Sequence, residues 1–456
     1  MLLVVHQFLP KYSYGTEVLT RDTGLEMLRR GHEVHVLTTD PEAQGRSLDV
    51  RHEDYDYRGL KVRSLWLPKQ RSALEVFRSE FDNEMVVERV RGYVRQIEPD
   101  VVHMFHLSGL SASIIEVFRE LDIPVVFTAT DFWAICARAT LSKPSGELST
   151  GPDDISSNCL ECRKAERFLP PNLLPDVKDK QTFYRRLAER ALTREKDEHQ
   201  NMAVLRTMLA RTETLHGLFN AVDAILAPTE FMHEMLTDNG IDPNIVTVFP
   251  YGMDTSGFRG AGRVRYEDGW PLRIGFIGAI NLNKGLDVLI SAFKQLPKDD
   301  AVTLRVCGGL EAKGDYANEV YAAAGGDPRI NFAGAFPNEK MAAELGKIDV
   351  LVVPSVWYEN APLVIYSALA AGIPVVATDL GGMAGIVHHE ENGLLFGHRD
   401  SSDLARQLGR LVSEPGLLER LAANAGEVRT VEDSVDEMLG LYEAIAAKKN
   451  AARGAR

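Results

Sequence analysis

The sequence predicts two doubly wound α/β domains. Three observations carry this reading. A chain of 456 residues is too long for one ordinary core. Apolar runs of strand length alternate with longer amphipathic segments, as parallel sheets require. The alternation also stops and then restarts, so two series are present. Two such sheets would face each other across a cleft, outside the carboxyl ends of their strands, where ligands of open α/β sheets bind.

The first series opens with the strand LLVVHQFLP (2–10). The amphipathic helix TEVLTRDTGLEMLRR (16–30) follows, Gly31 ends it, and EVHVLTT (33–39) returns as a strand, which makes a βαβ unit. Further strands are expected at 59–67, 100–107, 124–130, 221–229 and 245–252. Between 132 and 220 a Cys-containing, Pro-rich stretch gives way to a charged helical one, which reads as an insertion. Residues 256–271 mix Gly, Arg and acidic residues without apolar periodicity and suit a linker. The second series places strands at 272–280, 301–309, 329–336, 348–355 and 372–379. The chain then closes with a helix and a basic, frayed tail, KKNAARGAR. The expected division is an N-terminal domain over 1–255, a linker over 256–271, a C-terminal domain over 272–430 and a closing helix over 431–456.

Composition excludes several classes. Forty-five per cent apolar residues and a quarter charged is the balance of a globular protein, and a net charge of −14 argues against nucleic-acid binding through overall basicity. No run approaches the ~18 to 20 apolar residues that span a bilayer. Four cysteines, at 136, 159, 162 and 307, are too few for a disulfide scaffold. A soluble protein of a reducing cytoplasm is expected, with at most peripheral contact at the inner membrane through the basic tail.

The chemistry concentrates in WYENAPLVIYSALAAGIPVV (357–376). Pro362 suits the first position of a helix running through LVIYSALAA, so the unpaired N–H groups from about Asn360 to Val364 form a site for phosphate or hydroxyl oxygens, with Glu359 at its mouth. A carboxylate there stays ionised and can accept hydrogen bonds from sugar hydroxyls or balance charge on a reacting ring; it could equally be a plain helix cap. In GAINLNKG (278–285) Lys284 precedes another helix start, the usual arrangement for holding a pyrophosphate, although it could equally be a solvated surface lysine. Gly381 and Gly382 form a turn that lets backbone approach a ligand or simply tightens a strand-to-helix turn. On the N-terminal side, HMFHLSGLS (103–111) and TATDFWAICAR (128–138) follow two strands. They offer His103, His106, Thr130, Asp131 and Trp133 to an acceptor, and His106 and Asp131 are the groups that could handle a proton, but His103 and His106 could equally be satisfied structural histidines.

These residues carry a resemblance. PSVWYENAPLVIYSALAAGIPVVATDLGGMAGIV resembles the signature of the retaining GT-B glycosyltransferases, in the large fourth family of nucleotide-sugar-dependent enzymes. GAINLNKG, APTEFM with VFPYGMD, RGHEVHVLTT and the loop PKYSYGTE extend the similarity over nearly the whole chain. The resemblance implies a GT-B fold of two Rossmann-like domains, with the donor nucleotide held by the second and the acceptor by the first. It also implies a last helix that crosses back to the first domain, and retention without a metal. Carried over by position, Glu359 would contact the donor sugar, Lys284 the diphosphate and Gly15 the phosphate from the opposite side. Gly278, Ala279, Asn360, Ala361, Pro362 and Leu363 would complete the donor site. The co-substrate would be a UDP- or GDP-sugar, and the acceptor a glycan or lipid-linked glycan.

Three positions depart from the family pattern. Ser367 replaces the second glutamate that accepts the ribose hydroxyls, Ala279 replaces an arginine, and Thr130 replaces a histidine. They raise the alternative of a nucleotide-sugar- or glycan-binding protein without turnover; a nucleotide-sugar epimerase shares the fold but needs no acceptor. Cys136 with Cys159 and Cys162 could bind a structural zinc if a histidine completed the tetrahedron, but no fourth ligand is evident in the sequence, and the reading without a metal, in which these cysteines simply pack the insertion, is preferred.

Overall fold

The computed structural model describes residues 1–454, apart from 71, 165–168, 170–172, 194–199, 259–270, 299–300, 310–314 and 427. Most of the expected linker, 259–270, therefore lies outside the described residues. The chain forms two units, Met1–Pro250 with Glu432–Arg456, and Tyr251–Val431.

The first unit holds an eight-stranded sheet made of β1 (Leu2–Val4), β2 (His35–Thr39), β3 (Arg51–Tyr57), β4 (Leu60–Trp66), β5 (Val102–Met104), β6 (Val125–Thr128), β7 (Ala224–Ala227) and β8 (Val246–Val248). Its order is β3-β4-β2-β1-β5-β6-β7-β8. Every pair is parallel except β3–β4. Parallel strands covered on both faces read as continuous apolar runs, and Leu2, Leu3 and Val4 are fully buried. Strand β3, RHEDYDY, carries no strand signal in its sequence, because it is a charged edge strand with one exposed face. It is held by an antiparallel hairpin whose two loop residues, Arg58 and Gly59, both have positive φ.

Helix α1 (Gly15–Arg29) links β1 to β2, and its N-terminus is closed by Tyr14 N–H donating to Glu17 Oε2 at 2.8 Å. The insertion between β6 and β7 contains α2 (Cys159–Arg163), α3 (Lys180–Thr193) and α4 (Gln200–Phe219). Its core is shared with the helix at Ala73–Ser79, so that Phe77 is buried together with Leu160, Tyr184, Ala188 and Leu205.

The second unit holds a wholly parallel six-stranded sheet made of β9 (Leu272–Ile277), β10 (Val302–Cys307), β11 (Ile330–Phe332), β12 (Val350–Val353), β13 (Val375–Thr378) and β14 (Gly393–Phe396). Its order is β11-β10-β9-β12-β13-β14. Apart from the β3 hairpin, both sheets run outward from their first strand in the same way, so the strand order reverses between β1 and β5 and between β9 and β12. Helices α5 (Leu286–Phe293), α6 (Leu363–Ala370) and α7 (Gly382–Ile386) follow β9, β12 and β13. Each face of this sheet buries its own apolar cluster, one centred on Ile274, Leu289 and Val352, the other on Leu351, Ile365 and Val375.

The closing helix, α8 (Val431–Gly454), corrects the expectation of a frayed basic tail. Val435, Met438, Tyr442 and Ile445 form a buried stripe at helical spacing. Arg30 pairs with Asp436, Lys449 reaches Asp223 at 3.0 Å, and Arg453 pairs with Asp122. Two cations of the tail, Lys449 and Arg453, are thus paired with the first unit; residues 455–456 lie beyond the described residues.

Candidate active site

Lys284 and Glu359 are 75 positions apart in sequence and meet because each follows a strand beside the reversal point of the second sheet. The segment after β9 carries Lys284 and the segment after β12 carries Glu359. The two are tied by Val356 N–H donating to the Asn283 carbonyl at 2.9 Å. Gly285, with φ +64°, lets this crossing happen, since a Cβ there would lie 1.9 Å from the Pro354 oxygen. His398 holds the other side, with its Nε2 2.9 Å from the Val356 oxygen.

Glu359 is 7% exposed, and three donors converge on its Oε1: Lys284 Nζ, Ser355 Oγ and Trp357 Nε1, each at 2.7 Å. Burial alone would raise its pKa. The Lys284 charge and the three hydrogen bonds outweigh that, and the carboxyl is held below the ordinary glutamate value. None of the described side chains donates to Oε2. Lys284 uses one of its three N–H donors on Glu359 and lies 5.5 Å from the centre of the Trp357 ring.

Helix α6 begins one residue later than expected, with Pro362 as its N-cap (φ −66°, ψ 117°) and Leu363 as its first helical residue. Asn360 Nδ2 donates to Tyr251 Oη at 3.2 Å, and Ala361 is buried. The Gly381–Gly382 turn is a close approach of backbone to backbone. Gly382 N–H donates to the Glu359 oxygen at 2.9 Å, and a Cβ on Gly382 would sit 1.5 Å from the Asn360 oxygen. Gly278 N–H donates to the Cys307 carbonyl at 3.0 Å, and the Ala279 carbonyl accepts from Asn281 N–H. Ser367 is buried and donates its hydroxyl to the Leu363 carbonyl at 3.0 Å, four residues back in the same helix.

The first unit has a polar cluster at its own reversal point. His6 follows β1, His106 follows β5, and their ring centroids are 4.3 Å apart. His106 Nδ1 accepts from Ser108 N–H at 3.1 Å, so its proton sits on Nε2, which donates to Asp131 Oδ2 at 2.8 Å. Both nitrogens of His106 are therefore engaged, and Asp131, whose side chain is 34% exposed, is the more open end of the pair. Burial would raise the Asp131 pKa, but His106 and the Trp133 N–H outweigh it and hold the carboxyl below its ordinary range. Behind the pair, His6 Nε2 lies 3.4 Å from Glu17 Oε1. Burial, reinforced by His106, pushes His6 down to about 3, and burial raises the Glu17 carboxyl.

His6 and Glu17 were not picked out from the sequence, because a lone histidine after a strand and a glutamate in a first helical turn are ordinary features. The tryptophan and serine around Glu359 were legible only as neighbours, at positions −2 and −4. His103, expected at an acceptor, lies in the core instead. It is fully buried, with Nε2 2.7 Å from Thr128 Oγ1 and Nδ1 bonded to Tyr442 of α8. Thr130 turns its hydroxyl to the Phe105 carbonyl at 3.0 Å, Trp133 is buried, and Gly15 is the exposed first residue of α1.

Comparison with known proteins agrees with this architecture. Residues 14–150 match the family described as Glycosyl transferase 4-like domain, and residues 271–414 match Glycosyl transferases group 1; together they cover more than half of the chain. The chain belongs to the GT4-like glycosyltransferases. Sucrose-phosphate synthase from Thermosynechococcus elongatus aligns over 98% of this chain and 99% of that one, with a TM-score of 0.67 at 18% identity. Anabaena Alr3699/HepE in complex with UDP aligns over 97% and 99%, with a TM-score of 0.64 at 16% identity. At these identities the likeness establishes the fold, which is GT-B. In sequence, the D-inositol 3-phosphate glycosyltransferase of Rhodococcus jostii (strain RHA1) is 33% identical over 242 residues, 50% of this chain and 53% of that protein. The chain spans about half the length of the curated relatives it matches. Among the described residues no helix is long and apolar enough to cross a membrane.

Proposed function

We propose that this glycosyltransferase moves a sugar from a nucleoside diphosphate to a hydroxyl acceptor with retention of anomeric configuration. The observation that carries the reading is the Lys284–Glu359 pair beside the N-terminus of α6, with Glu359 Oε2 free of described donors. The two remaining N–H donors of Lys284 and the first-turn amides of α6 would take the diphosphate and stabilise the charge that develops as it leaves. Glu359 Oε2 would accept from a hydroxyl of the donor sugar, while the carboxylate balances the oxocarbenium-like centre. Oε1 is saturated and Oε2 is assigned to a hydroxyl of the donor sugar, so neither Glu359 oxygen is read as a nucleophile; attack on the face of the leaving group fits better than a covalent intermediate. Asp131, held ionised by His106, is the candidate to receive the acceptor proton.

UDP is the first nucleotide to test, because the Anabaena neighbour was solved with it; GDP is the second. A glycan or lipid-linked glycan is the proposed acceptor, and the cytoplasm, with at most peripheral contact at the inner membrane, the proposed compartment. One observation favours a second reading, binding without turnover. The Ser367 hydroxyl is spent on its own helix, and Ala279 and Thr130 supply no charge where the resemblance expects one. Thermal-shift screening of UDP-, GDP- and ADP-sugars followed by assay of nucleoside diphosphate release separates the readings. A stabilising donor whose diphosphate is released only with an acceptor supports transfer. A donor that stabilises and is never turned over supports the binding protein, and isomerised sugar without acceptor supports an epimerase.

A further inference from the structure

Cys136, Cys159 and Cys162 come from two separate segments of the insertion and line one cavity, with Ser149 and Asn158 beside them. Cys159 and Cys162 are one turn apart on α2 and so share a side of it. The thiols also feel one another. Burial pushes Cys159 up to about 12 and Cys162 up to about 11, with Cys136 and Cys162 adding to the rise at Cys159, and Cys136 to that at Cys162.

Buried charge next to these thiols does not balance. Arg163 and Arg211 are each 3% exposed and share one carboxylate. Arg163 Nη2 lies 2.7 and 2.8 Å from the two oxygens of Glu80, and Arg211 Nε lies 2.5 Å from the second. Arg211 Nη2 spends its proton on the Trp133 carbonyl, which carries no charge. Among the described residues, two buried guanidiniums therefore meet one anion, a costly surplus of positive charge. Both arginines act on Cys159 in the direction of its thiolate, and Cys136 acts on Arg211 in the complementary sense.

We propose that Cys136, Cys159 and Cys162 bind one divalent cation of the zinc class as thiolates, with water in the fourth position. Three thiolates around a dication carry a net charge of about −1, which the surplus guanidinium neutralises. Binding releases three thiol protons to solvent, so apparent affinity falls with falling pH. Among the described residues no three His, Cys, Asp or Glu side chains already stand in ligating positions, so the ion draws the sulfurs together and ties α2 to the segment after β6.

The test uses the full chain without a histidine tag, expressed with zinc in the medium, desalted and analysed for metals by mass spectrometry. About one zinc per chain is expected. Cobalt(II) exchanged into the site should give a near-ultraviolet thiolate charge-transfer band, which falls in C136S and in C162S and persists in C307S, whose cysteine lies in the other unit. Chelation should lower the melting temperature of the wild type, and added zinc should restore it. A C136S protein that still melts cooperatively, at a temperature insensitive to chelator, supports the proposal. Metal-free wild type with no thiolate band on cobalt addition overturns it, as does metal uptake unchanged in both cysteine variants. No step depends on sugar transfer, so either result leaves the proposed function untouched.

Discussion

The two sheets reverse their strand order in the same way, yet they place different chemistry at the reversal. In the second unit, a lysine and a glutamate form a fixed ion pair stabilised by Ser355 and Trp357. In the first, two histidines lie with tilted rings in contact between two carboxylates, His106 bonded to Asp131 and His6 lying near Glu17. One topology thus supplies a grip built around an ionised glutamate, and a second cluster in which an ionised aspartate faces histidines, one of them, His6, kept uncharged by burial. A shared fold fixes where side chains converge; the residue types decide what the convergence can do.

The largest effect that would break this comparison is expected at Glu359. E359A removes the anion and leaves Lys284 without its partner, so nucleoside diphosphate release should fall by about two to three orders of magnitude, as for loss of one preorganised charge-stabilising group. Activity within a few-fold of wild type in the release assay would remove Glu359 from the mechanism. K284A comes next. It should weaken UDP binding by about 1.5 to 3 kcal/mol, the range for hydrogen bonds to charged groups, measured by calorimetric titration.

The pH response of the two units should differ. His6 and His103 are both held at about 3, below the ordinary value of 6.5. The unfolded chain therefore binds protons that the folded one refuses, and first-unit stability should fall as pH drops below about 6.5, by up to about 1.4 kcal/mol per unit for each histidine. Glu359 is lowered from 4.5, so its contribution is kept above that value and lost only as pH falls further. Hydrogen exchange by mass spectrometry between pH 7 and 5, corrected for intrinsic rates, should show peptides of the first unit losing protection while those around Lys284 and Glu359 do not. Equal loss in both units would erase the distinction. The smallest effect is expected for S367A, which removes only a hydroxyl bonded to its own helix and should change UDP affinity by less than about twofold in the same titration.

Much of this was legible in the sequence for a physical reason. Buried parallel strands are continuous apolar runs, so β1, β9 and β12 announce themselves, and the helix start after Glu359 is marked by its proline. What stayed hidden depended on tertiary partners. The edge strand β3 is charged on its open face and looks like a loop. The tail KKNAARGAR looks solvated until Asp122 and Asp223 are placed beside Lys449 and Arg453. His103 and His106 share one strand segment and look equivalent, yet one is sealed against Tyr442 and the other meets Asp131. Ser367, one of the three departures from the family pattern, suggested a lost nucleotide contact; its bond to Leu363 gives the hydroxyl a local partner that the residue type alone does not reveal.

The central claim is that the Lys284–Glu359 pair and the first turn of α6 form the seat of a nucleoside diphosphate. A crystal of the full chain soaked with UDP tests it directly. The account predicts diphosphate oxygens within hydrogen-bonding distance of Lys284 Nζ and of the amides at the start of α6. UDP bound elsewhere, with Lys284 still engaged only by Glu359, would contradict it.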